Sequence, residues 1–278
     1  MIRLLVRGYP QGPELPARPP AHVLDPGAPI TPAQIDVLAL GFARGVVVVQ
    51  PPGDQASHRE LDRLHCLLDS ERVVVHHSTL SPVAGAVLGS LGAALSATAP
   101  TPAALAGALA VLERTLWVGA WLPSVRRLRD PRARTSQRLR SLLPGGSFVV
   151  RRHPAPAVWS MGEGDALEAP QLPGPGAVAV AGTGRGGGWA AETLARAAGG
   201  GPVYDVGASG DAARWWGSGR ALELVAYPTD IDRLSGELFS RPEHCLWCDE
   251  PLVGESCRLC ADARRTARAA GEGPRMAA

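Results

Sequence analysis

Residues 73–95 read VVVHHSTLSPVAGAVLGSLGAAL, and this run sets the expected fold. Val73-Val74-Val75 is β-branched and continuous, without polar alternation, as in a strand covered on both faces. Ser81-Pro82 then places a capping residue before proline at the first helical position. The strand, the cap and the helix follow one another within about 20 residues, which is the unit of an α/β layer.

The same grammar repeats outward. Apolar runs stand at 2–6 (IRLLV), 46–50 (VVVVQ) and 73–77 (VVVHH), then at 116–120 (LWVGA) and 147–150 (SFVV). Later come 177–181 (AVAVA), 202–206 (PVYDV) and 222–227 (LELVAY). Between them lie helix starts: capping boxes at Thr31–Gln34 and Ser57–Glu60, and Thr101-Pro102. The expected architecture is therefore α/β: a mainly parallel, Rossmann-like sheet with helices on both faces, followed by a small C-terminal module. The divisions expected are an α/β region at 1–153, a Pro/Gly-rich linker or excursion at 154–176, and a βαβαβα continuation or second lobe at 177–240. A cysteine-bearing module with a basic helix follows at 241–270, then a disordered tail at 271–278.

No charged residue occurs from Ser78 through Leu112. Each half of this stretch is shorter than the roughly 20 apolar residues of a membrane span, so a buried helical pair is expected and no membrane span. Gly85/Gly89 and Ala104/Ala108 give flat faces, which also suit a homodimer. All 28 basic residues are arginine, the bias of a very GC-rich genome such as an actinobacterial one, and the net charge is only +2. That balance argues against a global field for nucleic acid or acidic lipid. Locally, nine arginines face a single acid, Asp130, between Arg126 and Arg152.

The densest chemistry is HCLWCDEPLVGESCRLC, with Cys245, Cys248, Cys257 and Cys260 spaced C-x2-C-x8-C-x2-C. Two such knuckles form a tetrahedral sulfur cage for structural zinc, leaving no position for water or substrate. Disulfides would need an oxidising compartment, and the absence of a leader makes the cytoplasm the expected setting. The run resembles the zinc-ribbon family, notably the short ribbons reading C-x2-C-x-x-P-L…C-x2-C in double-zinc-ribbon proteins and at the front of competence-associated phosphoribosyltransferases. Cys245, Cys248, Pro251, Leu252, Cys257 and Cys260 carry the match, over about residues 243–264. The resemblance implies a module and no particular activity.

Elsewhere, ligands of a parallel sheet collect at the carboxyl ends of its strands. His76 or His77 could serve as general base there, with Asp54 as orienting acid. Adjacent strand residues point to opposite faces, so the two histidines cannot share one site while the strand lasts. Gly182, Gly184 and Gly187 follow a strand in G-x-G-x-x-G order, and Asp205 ends the next strand, as in a nucleotide-binding fingerprint. Two functions are thus expected. One is a binding or regulatory module that engages a protein or nucleic-acid partner through the ribbon and its basic flank. The other is a nucleotide- or dinucleotide-binding enzyme using the Gly182–Gly188 loop with His76 or His77.

Overall fold

The structure is a computed structural model, and it describes residues 73–143, 145–207, 212–240, 243–254, 257, 258 and 260, with the strands at 3–7, 22–24 and 46–50. Asp54, the helix starts at Thr31 and Ser57, and the basic residues beyond the ribbon lie outside the described residues.

Two sheets share the chain. The first contains β1 (Arg3–Arg7), β2 (His22–Leu24), β3 (Val46–Gln50) and β4 (Val73–His77), ordered β2-β1-β3-β4 with every pair parallel. The second contains β5 (Trp117–Leu122), β6 (Phe148–His153), β7 (Ala157–Ser160), β8 (Gly176–Gly182), β9 (Val203–Asp205) and β10 (Leu222–Pro228). Its order is β7-β6-β5-β10-β8-β9, and only the β8–β9 edge is parallel. The α/β class holds, while parallel pairing is confined to the first sheet and one edge of the second. Continuous apolar strands report that both faces are covered, and they say nothing of strand direction.

The layer between the sheets explains the uncharged stretch. Helix α1 (Pro82–Leu95) packs on β1 and β3 of the first sheet and on β8 and β10 of the second. Every α1 residue except Ser90 is buried, so a charge anywhere on its circumference would be desolvated. Helix α2 (Pro102–Thr115) lies against α1, β3 and β4, and Leu88, Leu91, Leu95, Leu105 and Leu109 are fully enclosed. Each such leucine contributes about 1.5–3 kcal/mol of burial. Thr101 caps α2, its hydroxyl accepting from the Ala104 N–H at 3.2 Å.

The outer face of the second sheet is covered by α4 (Gly188–Ala197), whose Ala190 and Leu194 join Trp117, Val178 and Leu224 in a separate core. Helix α3 (Thr135–Arg140) lies in the excursion between β5 and β6, α5 (Ala212–Trp216) precedes β10, and α6 (Ile231–Phe239) follows it. A hairpin, β11 (Glu243–His244) and β12 (Pro251–Leu252), carries the cysteines. It docks on α2, where Val253 is 6% exposed and belongs to the main core.

Candidate functional site

His76 and His77 point opposite ways, as strand alternation requires: His76 is buried and His77 exposed. The partner of His76 is Glu113, in the last turn of α2, with Nε2 and Oε2 2.9 Å apart. The other carboxylate oxygen accepts from the Thr79 N–H at 2.8 Å and the Thr79 hydroxyl at 3.1 Å. Burial pushes the Glu113 carboxyl up, but the hydrogen bond and charge of His76 and the two Thr79 donors outweigh it, leaving it below the usual range. This cluster ties the end of β4 to α2.

Ser81 does not cap its own helix. Its hydroxyl donates to Glu223 Oε1, from β10 in the other sheet. Glu223 is fully buried, and it also accepts from the Trp216 indole N–H at 3.3 Å and from the N–H groups of Val83 and Ala84. Burial pushes this carboxyl up despite those donors. A carboxylate thus sits at the positive end of α1, inside the protein, where free helical N–H groups and the dipole favour negative charge. On the same strand face, Tyr227 is wholly buried, and its hydroxyl has no hydrogen-bond partner. Nearby, the Arg152 guanidinium stacks on Trp216 and Trp215 at 5.0 and 5.4 Å and donates to the Trp215 and Asp130 carbonyls. Sequence reasoning passed over both Glu113 and Glu223. The signals were there: Glu113 is the first charge after a long uncharged run, and Glu223 is the one acid in an apolar strand.

The glycines at 182, 184 and 187 have a different explanation from phosphate binding. A Cβ on Gly182, where φ is +132°, would lie 2.2 Å from the Ala221 carbonyl oxygen. One on Gly184 would lie 2.9 Å from the Arg220 carbonyl oxygen, and one on Gly187 would lie 2.8–2.9 Å from the Trp121 ring. They let the turn pass close to β10 and Trp121. The α4 start bounds an open cleft of about 580 Å³ with Thr183, Glu192 and Leu222, and the anionic Glu192 is a poor neighbour for phosphate. Asp205 is exposed and accepts from the Gly207 N–H at 2.9 Å. His76 lies in β4 of the first sheet, whereas Gly184 follows the end of β8 in the second.

The four cysteine sulfurs lie within 4.8 Å of one another. Cys248 to Cys260 is 3.3 Å, Cys248 to Cys257 3.6 Å and Cys245 to Cys260 3.7 Å. A tetrahedron with Zn–S bonds of about 2.3 Å has edges of about 3.8 Å, so the cluster has the size of a metal cage. The backbone N–H groups of Trp247 and Cys248 lower the Cys245 thiol to about 6. His244 is exposed, with Nδ1 2.8 Å from the Asp249 carbonyl oxygen in the hairpin turn.

Taken together, the chain is a two-sheet α/β protein whose central helix start receives a buried carboxylate. No known protein family and no curated protein sequence matches it, whereas solved structures share the fold. A DegV family protein from Eubacterium eligens, loaded with heptadecanoic acid, superposes with TM-score 0.54 at 11% identity, over 81% of this chain and 99% of that one. A fatty-acid-binding DegV family protein from Thermus thermophilus gives 0.52 at 16% identity, over 81% and 99%. The DegV family protein Cg2579 from Corynebacterium glutamicum gives 0.50 at 12% identity, over 81% and 96%.

These likenesses correct the functional expectation. The Eubacterium eligens protein carries heptadecanoic acid and the Thermus thermophilus protein binds fatty acid, which overturns the expected module for a protein or nucleic-acid partner. The glycine loop, which alone suggested a nucleotide, is accounted for by packing on Ala221, Arg220 and Trp121. The expectation of zinc and a Rossmann-like sheet left out fatty acid, which the Eubacterium eligens and Thermus thermophilus proteins carry or bind.

Proposed function

We propose that this protein binds a long-chain fatty acid between its two sheets, with the acyl chain beside α1 and the carboxylate at the start of that helix. The observation that carries the reading is the α1 start itself, where Ser81 and the N–H groups of Val83 and Ala84 already hold a carboxylate in an apolar interior. A guest carboxylate takes over these donors from Glu223, and the unpaired Tyr227 hydroxyl offers a further donor on the same strand face. Support also comes from the fold-sharing proteins, which carry heptadecanoic acid or bind fatty acids. The cysteine cluster holds a structural zinc ion as a ribbon, a reading supported by its sulfur spacing, and the reduced thiols of such a site suit the cytoplasm.

Native mass spectrometry and calorimetry with heptadecanoic acid test the lipid reading. One acyl chain per protein is expected, with affinity falling about tenfold in Ser81→Ala through loss of a hydrogen bond to a charged group. Failure of the delipidated protein to take up any fatty acid would overturn it.

A further inference from the structure

Between β5 and β6 the chain makes an excursion whose two sides differ in kind. Inward, Val125, Leu128 and Ala133 are buried in the main core. Gln137 donates to the Val158 carbonyl at 2.8 Å, and Ser141 accepts from the Val125 N–H at 3.1 Å. These contacts fix which side faces out. Outward stand all seven arginines from Arg126 to Arg140, each exposed, against the single acid Asp130. Among them three leucines project into solvent: Leu139 is 60% exposed, Leu142 58% and Leu143 65%. The other two arginines of the basic run are spent internally, Arg151 on Glu168 and Arg152 on the Trp215 and Asp130 carbonyls.

Exposed leucines are a cost in water, and a partner made only of phosphates would leave them wet. A nucleic acid would recover the arginine contacts and not the leucines, and the patch contains no aromatic ring for base stacking. An anionic lipid surface satisfies both, since its headgroups pair with arginine while its acyl boundary accepts apolar side chains. We propose that residues 124–143 dock this protein on the surface of an anionic bilayer, with Leu139, Leu142 and Leu143 entering the headgroup boundary and the arginines pairing with lipid phosphates. Docking is peripheral: among the described residues, no helix is long and apolar enough to cross a membrane. The proposal goes beyond the fatty-acid reading and stands without it.

Vesicle co-sedimentation of the full chain provides the test, using phosphatidylcholine vesicles with and without phosphatidylglycerol and no added fatty acid. Binding is expected only with phosphatidylglycerol. It should weaken about a hundredfold in Arg134→Gln/Arg138→Gln/Arg140→Gln, and tenfold or more in Leu139→Ser/Leu142→Ser/Leu143→Ser, roughly the loss of three partly inserted apolar side chains. All six side chains are exposed, so both variants should keep the wild-type circular dichroism. Equal binding to both vesicle types, indifference to the leucine changes, or displacement of vesicles by duplex DNA with no leucine dependence would overturn the proposal. A protein that binds vesicles and takes up no fatty acid would sink the functional reading and leave this one standing.

Discussion

Glu223 lies inside an apolar strand, and Glu113 lies at the end of a helix against His76 and Thr79, and the two environments act on their carboxyls in opposite directions. Burial raises Glu223, so the folded protein holds that proton more tightly than the unfolded chain. Its contribution is greatest below the ordinary value of 4.5 and is lost as pH rises through the folded-state value. Glu113 is lowered, so its contribution is present above 4.5 and disappears as pH falls through its folded-state value. Urea unfolding across a pH series should separate them. Glu113→Gln is expected to lose about 1–3 kcal/mol at neutral pH, and the deficit should shrink below pH 4.5. Glu223→Gln should gain relative to wild type as pH rises. Parallel pH dependence in both variants would contradict these assignments. At this scale the sequence was legible where chemistry repeats, as in the four cysteines, and mute where one carboxylate depends on a helix start 142 residues away.

Among the elements, the contact between hairpin and helix has the narrowest tolerance. A Cβ on Gly107 would sit 2.6 Å from the Val253 carbonyl oxygen and 3.1 Å from the Val253 Cβ, so only glycine admits the hairpin to α2. Gly107→Val should therefore displace residues 243–254, at a cost of about 1–3 kcal/mol for overpacking, while the four thiols remain able to take up zinc. Hydrogen exchange measures this: faster exchange in the hairpin with unchanged protection of β5 and β10 is expected, and unchanged hairpin protection would refute it. Most strands were legible as apolar runs, 46–50 and 73–77 to the residue. The three-residue β2 and the four-residue, half-buried β7 are too short to stand out as such runs, and the antiparallel order of β5, β10 and β8 leaves no trace in strands buried on both faces. The G-x-G-x-x-G order misled because close packing on a carbonyl or an indole calls for glycine as strictly as a phosphate does.

At the level of the whole molecule, a cysteine-bearing hairpin rests on a two-sheet body with its own core. Cys248→Ser should abolish metal binding in native mass spectrometry and loosen the C-terminal module, because structural zinc supplies the folding energy of its own site. The thermal unfolding of the body should persist, and a body that melts with the ribbon would count against this division. The proposed lipid site left little mark in the sequence, since an acyl-chain site uses the same Ala, Gly and Leu as a core and follows no motif. The position of α1 has a consequence for anyone dissecting the chain. Because it gives one side to each sheet, neither half can be expressed alone without presenting a bare uncharged helix or an uncovered sheet to water. A cut before β5 would thus yield two sticky fragments, although the chain between α2 and β5 is short.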